Sequence, residues 1–174
     1  MRNRFAVVVA LIAAPVASVA AQNAAPRNVI SIQPLSAMLT VYSGEYERGV
    51  SKAVSLGVGA TFWNAGDTGD EVTYTSGDIK LRYYPQGTAL QGFSFGVTGG
   101  FSNVSETVGT TEASSGAPSF GLLLEYQWLM GSKKNFGMTL GAGAKAVMLN
   151  EDDFAGNEVT ARYPTARVSV GYAW

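Results

Sequence analysis

Apolar side chains recur at every second position over long stretches of this 174-residue chain. In the clearest stretch, residues 136–148, large and small apolar side chains alternate with glycine, threonine and lysine. Successive side chains of a β-strand point to opposite faces, whereas a helical face would need a period near 3.6. The stretch therefore predicts an extended strand with one apolar face and one face of small or polar residues.

The same alternation predicts six strands, at 53–63, 73–84, 93–103, 119–130, 136–148 and 164–174. Their lengths are close to the roughly 9–11 residues with which a tilted strand crosses a bilayer. Residues 28–38 and 40–50 also read as extended, and we expect two strands with a very tight connection near Leu39. One long bent strand over 28–50 is the alternative. Because single-chain bacterial barrels generally have an even number of strands, eight strands are favoured over seven.

Short and long connections alternate between these strands. The short ones are 51–52, 85–92 and 131–135, and the longer polar ones are 64–72, 104–118 and 149–163. Such alternation is typical of barrels in which short turns face the periplasm and longer loops face outward. The sequence therefore predicts an all-β fold, an eight-stranded antiparallel transmembrane up-and-down β-barrel.

The residues opposite the apolar stripes indicate which face of each strand points inward. They are mostly glycine, serine and threonine, together with charged residues. A closed eight-stranded barrel has little interior room, so the small residues are expected inside and the large apolar ones outside, against lipid. A soluble barrel of the lipocalin kind, with its apolar side chains inside, is the alternative.

The N-terminus has the features of an export signal. Arg2 and Arg4 precede an apolar run over 5–14, and small residues surround positions 19–21. This pattern predicts a cleaved signal peptide over residues 1–21 and a single β-barrel domain over 22–174. A short N-terminal membrane anchor is the alternative. The sequence contains no cysteine, so disulfides contribute nothing to its stability.

The chain ends on a strand whose last residues alternate up to a terminal tryptophan. This ending resembles the C-terminal signal read by the outer-membrane assembly machinery, although such signals usually end in phenylalanine. Its residues are Val168, Val170, Tyr172 and Trp174. The segments 34–36 and 45–48 also resemble the corresponding stretches of barrel families of unassigned function. As a whole the chain resembles the small bacterial outer-membrane barrels of the OmpA/OmpX-like or OmpW-like class.

That resemblance implies a protein of the Gram-negative outer membrane, in contact with its lipid and lipopolysaccharide and assembled by the barrel assembly machinery. We expect a monomer. The predicted outer loops are acidic and offer a surface for a partner, but they carry no recognisable binding motif. Three consecutive acidic residues at 151–153 lack the spacing of a defined calcium loop, so no metal site is predicted.

Eight charged residues fall on the predicted inner face, four of each sign. They are Glu45, Glu47, Asp78, Lys80, Arg82, Glu125, Lys145 and Arg167. An unpaired charge in a narrow lumen would be costly, so we expect these residues to pair with one another and plug the interior. The alternative is that some of them lie at the rims and are simply hydrated.

The composition narrows the function. The sequence has no histidine, so a catalytic site that uses a histidine base cannot be built. A pair of carboxylates such as Glu45 and Glu47 could still act as a general acid and a general base. We expect structural pairing instead, and therefore no enzyme. The net charge of −1 gives no indication of nucleic-acid binding, and no cofactor is predicted. The expected role is structural or surface-interacting; the alternative is a narrow porin-like channel for small solutes or small apolar molecules.

Overall fold

The chain folds into eight antiparallel strands that close into a barrel. The computed structural model describes residues 25–67, 70–108, 111–149 and 159–174. The strands are β1 (Asn28–Ile32), β2 (Val41–Gly49), β3 (Val54–Asp67), β4 (Asp70–Tyr83), β5 (Gly92–Val108), β6 (Thr111–Met130), β7 (Phe136–Leu149) and β8 (Val159–Ala173). Each strand pairs with the next, and β8 pairs with β1. The prediction of an eight-stranded antiparallel up-and-down barrel is confirmed.

The strand register makes the barrel narrow and its strands strongly tilted. Starting at Ile30 on β1, we step from each residue to its paired residue on the next strand. After β7 this path reaches Arg162 on β8. Ile30 itself pairs with Tyr172, so the path closes ten residues further along β8, from 162 to 172. Eight strands with such a stagger leave an interior that side chains can fill.

The inner face of the wall is polar and the outer face is apolar. Leu122 and Ile79 point outward and are 66% and 61% exposed, whereas Arg82 and Ser94 on the inner face are 1% exposed. The other buried polar residues, including Ser55, also come from the inner face. This arrangement is the reverse of a soluble barrel, in which the apolar side chains would fill the interior.

Two of the predicted long loops are wrong. Strands β3 and β4 continue to Asp67 and Asp70, and β5 and β6 continue to Val108 and Thr111, so both pairs form long hairpins. Polar side chains on these extensions bond across the strands, as when Asn64 donates to the Thr73 hydroxyl at 3.1 Å. Ladder pairing therefore extends through residues that their polarity alone suggested to be loops.

The third predicted loop, 149–163, is shorter than expected at its end, because β8 already begins at Val159. The acidic triplet at 151–153 lies in the part of this connection that the structure does not describe. The same holds for the predicted signal peptide, residues 1–21.

The first connection also differs from the prediction. Strand β1 ends at Ile32, and a short helix α1 (Pro34–Ala37) follows before β2 begins at Val41. Proline lacks the N–H that a ladder needs, and its fixed φ suits the first turn of a helix. The expectation of two strands rather than one bent strand is therefore correct, but their connection is not a tight turn near Leu39.

The barrel has two different ends. The short-turn end carries the start of β1, the end of β8 and the connections 50–53, 84–91 and 131–135; the hairpin end carries α1 and the β3–β4 and β5–β6 hairpins. In the part of the chain that the structure describes, no helix is long and apolar enough to cross a membrane.

Candidate functional site in the barrel lumen

Arg82 lies at the centre of a cluster of ion pairs inside the barrel. Its guanidinium, projecting from β4, contacts Glu45 on β2 at 2.7 Å and Glu47 at 3.5 Å. Its Nε donates to Glu125 on β6. A guanidinium presents donors in a fixed planar fork, which allows one side chain to serve carboxylates from different directions. Arg82 therefore bridges the lumen between β2 and β6.

Two further cations complete the cluster around the same carboxylates. The Arg167 guanidinium, from β8, lies 2.7 Å from Glu45 and 3.3 Å from Glu125. The Lys80 ammonium donates to Glu45 Oε2, the same oxygen that Arg167 contacts, whereas Arg82 contacts Oε1. Three acids and three bases from four strands thus share one network, which we call the central cluster: Glu45, Glu47, Glu125, Lys80, Arg82 and Arg167. The charges of the cluster balance, as burial requires.

The remaining two predicted charges form a separate pair. The Lys145 ammonium donates to Asp78 at 2.9 Å, between β7 and β4. Both residues lie nearer the hairpin end than the central cluster. Asp78 precedes Lys80 on β4, and Lys145 lies four residues beyond Gly141, the β7 residue that pairs with Glu125. All eight predicted inner-face charges are therefore ion-paired with one another.

Glycines on the inner face make room for these side chains. A Cβ at Gly57 would lie 3.1 Å from Arg82 Nη1 and 3.3 Å from Glu45 Oε1. A Cβ at Gly59 would lie 3.1 Å from the Lys80 ammonium. All three distances are tighter than ordinary van der Waals contact, so a larger residue would displace the ion pairs. Inward-facing glycines such as Gly57 and Gly59 thus provide the space that the buried charged side chains occupy.

A layer below the central cluster closes the lumen at the short-turn end. The Tyr84 hydroxyl donates to Glu47 at 2.8 Å and lies 3.1 Å from Gln127 Oε1. Leu90, in the connection 84–91, is fully buried and packs with Val29 and Ala173. The connection is held over the opening by the Ala89 amide, which donates to the Lys52 carbonyl at 2.7 Å. The short-turn end is therefore filled by side chains.

A cavity of about 350 Å³ lies on the other side of the cluster, toward the hairpin end. Its floor includes Lys80 and Arg167, and Lys145 lines its wall. Tyr74 and Tyr163 stand nearer the mouth. The cavity thus has charged groups at its base.

Sequence reasoning missed the lower closure. Alternation in 73–84 places Tyr84 on the same inward face as Arg82, in agreement with its burial, but Leu90 falls in a predicted turn and is nevertheless fully buried. A signal was available, because Leu90 is a large apolar residue in an otherwise polar connection. Nothing local indicated that this connection folds across the opening.

The predicted C-terminal signal lies on the outer face of β8. Tyr172 and Trp174 are exposed, and their rings stack with centroids 6.0 Å apart. Trp174 also lies 6.2 Å from the Tyr46 ring, and its carbonyl accepts hydrogen bonds from the Arg27 and Asn28 amides. Val168 and Val170 precede them on the same face. The last residue thus joins the strand that closes the barrel to β1.

No arrangement for metal binding was found among the described residues, in the sense of three or more acidic, histidine or cysteine side chains grouped together. The carboxylates Glu45 and Glu47, considered above as an acid and base pair, are both engaged with Arg82.

Comparison with known proteins identifies the fold but not a family. No protein family model matches the chain, and no curated protein matches it. The crystal structure of the N-terminal β-barrel domain of OprF from Pseudomonas aeruginosa is similar, with a TM-score of 0.50. The match has 15% sequence identity and covers 86% of this chain and 98% of the OprF domain. At this identity the likeness shows a shared barrel fold.

Proposed function

We propose that the chain is an integral outer-membrane β-barrel protein with a plugged, salt-bridged interior and a structural or surface-interaction role. The observation that carries the proposal is the position of Arg82, which is fully buried and joined to carboxylates from β2 and β6 across the lumen. A side chain held from two walls blocks the path that a wide pore would need.

The membrane location rests on the surface of the barrel. Large apolar side chains such as Leu122 and Ile79 point outward, where lipid would bury them at a gain of roughly 25 cal/mol per Å². Each strand pairs with the next and β8 pairs with β1 over Val170–Ala173, so the backbone groups of the paired residues are satisfied between strands, as a bilayer demands of a spanning structure. The export signal predicted over 1–21 and the terminal strand read by the assembly machinery support the same location.

The surface-interaction part of the proposal rests on the hairpin end. The β3–β4 and β5–β6 hairpins extend the wall, and the sequence at their ends contains Asp67, Asp70, Glu71, Glu106 and Glu112. These acidic tips would meet a surface partner or, with bridging cations, lipopolysaccharide. The paired state of Glu45 and Glu47 supports the absence of enzyme activity as part of the proposal.

A narrow channel is the second candidate, and the cavity favours it. The cavity extends from the hairpin end to the central cluster. The central cluster and the layer of Tyr84 and Leu90 below it separate the cavity from the short-turn end. Local rearrangement of those two layers would connect the two sides for a small solute.

Conductance of the refolded chain 22–174 in a planar bilayer tests the proposal. We expect no steady openings, because Arg82 and Leu90 both block the lumen. Steady openings that change on Lys80→Gln or Glu125→Gln would contradict the plugged interior and establish the channel. The variant Lys133→Gln, on an exposed turn, is the matched control for Lys80→Gln and should leave either result unchanged.

A further inference from the structure

The wall of the barrel is incomplete between β1 and β8. Strand β8 pairs with β7 from Val159 to Tyr172, but with β1 only from Val170 to Ala173. Within the described residues, no backbone hydrogen bond joins 33–41 to 159–169. Toward the hairpin end the two strands therefore separate and leave a seam in the wall.

Helix α1 lies in this seam and presents apolar side chains there. It contacts both β2 and β8. Leu35, at its start, and Met38 and Leu39, just after it, are all largely exposed. Three exposed apolar side chains beside an opening in the wall form a surface that an acyl chain would cover favourably.

The cavity of the lumen reaches both sides of this seam. Gln33 and Ser36 line it from the β1–β2 connection, and Thr165 and Arg167 line it from β8. A molecule in the cavity would therefore contact residues on both sides of the seam.

The accessible part of the charge network has more cations than anions. The side chains of Lys80, Lys145 and Arg167 are 15%, 12% and 11% exposed. Asp78 is 11% exposed, whereas Glu45 and Glu125 are 4% and 3% exposed. An ammonium group has three donors, and each lysine directs one of them to its carboxylate, Glu45 or Asp78. The remaining donors suit an anionic group within the cavity.

We propose that this recess binds a single-chain amphiphile with a small anionic head group. The head group lies between Lys80 and Lys145, and the acyl chain leaves through the seam along α1. The inference rests on the proposed membrane location, because the chain would reach lipid on leaving the seam. The cavity of about 350 Å³ holds a head group and the first carbons, so the wall need not enclose the tail.

Photolabelling with dodecanoate that carries a diazirine at its chain end tests this site. The chain 22–174 is refolded into neutral phosphatidylcholine vesicles, irradiated with the probe and mapped by mass spectrometry. We expect adducts concentrated in 33–41 and 162–169, above the background at Ile79 and Val97 on the opposite wall. Dodecanol with the same diazirine should label all outward faces evenly, because it lacks the anionic head group.

Substitution of the cavity lysine gives the second measurement. Lys145→Gln should lower labelling at the seam about tenfold, the loss expected for one charge-assisted hydrogen bond. Lys145→Arg should retain most of it, and Lys133→Gln, the same change on an exposed turn, should have no effect.

The outcomes separate this inference from the proposed function. Insertion of the barrel with labelling that is uniform, or that Lys145→Gln leaves unchanged, would overturn the amphiphile site alone. Failure of the wild-type chain to insert would overturn the membrane proposal together with the site. The mobility of each variant on an unboiled gel shows whether it is folded. If Lys145→Gln does not fold, Lys145→Arg decides: labelling that is no longer concentrated at the seam in that variant would overturn the site.

Discussion

At the scale of single residues, Arg82 concentrates the buried charge of the barrel. Replacing Arg82 by methionine keeps a long side chain but leaves Glu45, Glu47 and Glu125 without their shared cation. Breaking a buried network by removing one partner typically costs about 3–5 kcal/mol. We expect a loss of that size in the free energy of unfolding, measured by urea titration of the refolded barrel.

The matched control for this change is Arg48→Met, because Arg48 is an exposed arginine at the end of β2. Substitutions at such surface positions usually change stability by less than about 0.5 kcal/mol. Equal stability of Arg82→Met and Arg48→Met would show that the central cluster contributes little to holding the fold together.

Gly57 tests whether glycine makes room for the ion pairs. A methyl group there would crowd Arg82 Nη1 and Glu45 Oε1, and overpacking of this kind costs about 1–3 kcal/mol. Gly77→Ala is the control, because a Cβ at Gly77 meets nothing within 4 Å. We expect urea unfolding to show a loss for Gly57→Ala and no loss for Gly77→Ala. Equal effects would mean that strand propensity, not space, decides the change.

At the scale of elements, β8 closes the barrel and ends the chain. Trp174 stacks on Tyr172, and its backbone joins β1, so a lysine there would place a charge in the closing strand. We expect Trp174→Lys to impair assembly, measured as the folded fraction recovered in the membrane.

Trp128→Lys distinguishes the explanations of that result. Trp128 is a tryptophan of β6 that packs on Tyr126. If the terminal residue acts as a signal, Trp174→Lys should impair assembly more than Trp128→Lys. Equal impairment would indicate that both tryptophans matter only as aromatic side chains of the outer face.

The sequence also predicts most elements, with exceptions that have local causes. The alternation of apolar and small or polar residues located β2 to β8, because successive side chains of a strand point to opposite faces. It overextended β1, where Pro34 begins a helix instead of continuing the strand. It also ended β5 too early and began β6 too late, because polar residues in long hairpins satisfy each other across the ladder, as Ser105 and Ser114 do.

At the scale of the whole molecule, closure of the ladder should slow unfolding. All strands are paired on both sides over part of their length, so no strand can be removed without breaking two ladders. We expect the refolded chain 22–174 to migrate differently on a detergent gel before and after boiling. Identical migration would argue against a detergent-resistant barrel.

The sequence alone determined the number of strands, their outward apolar faces and the eight inner-face charges, because a period of two assigns every side chain to one face. Only the tertiary structure decided which charges meet. Arg82 and Glu125 are 43 residues apart, and Lys145 and Asp78 are 67 apart. Such pairs depend on the stagger with which the strands close, as do the burial of Leu90 and the seam beside α1. Local alternation carries no information about that stagger, since it arises from pairing between segments distant in the chain.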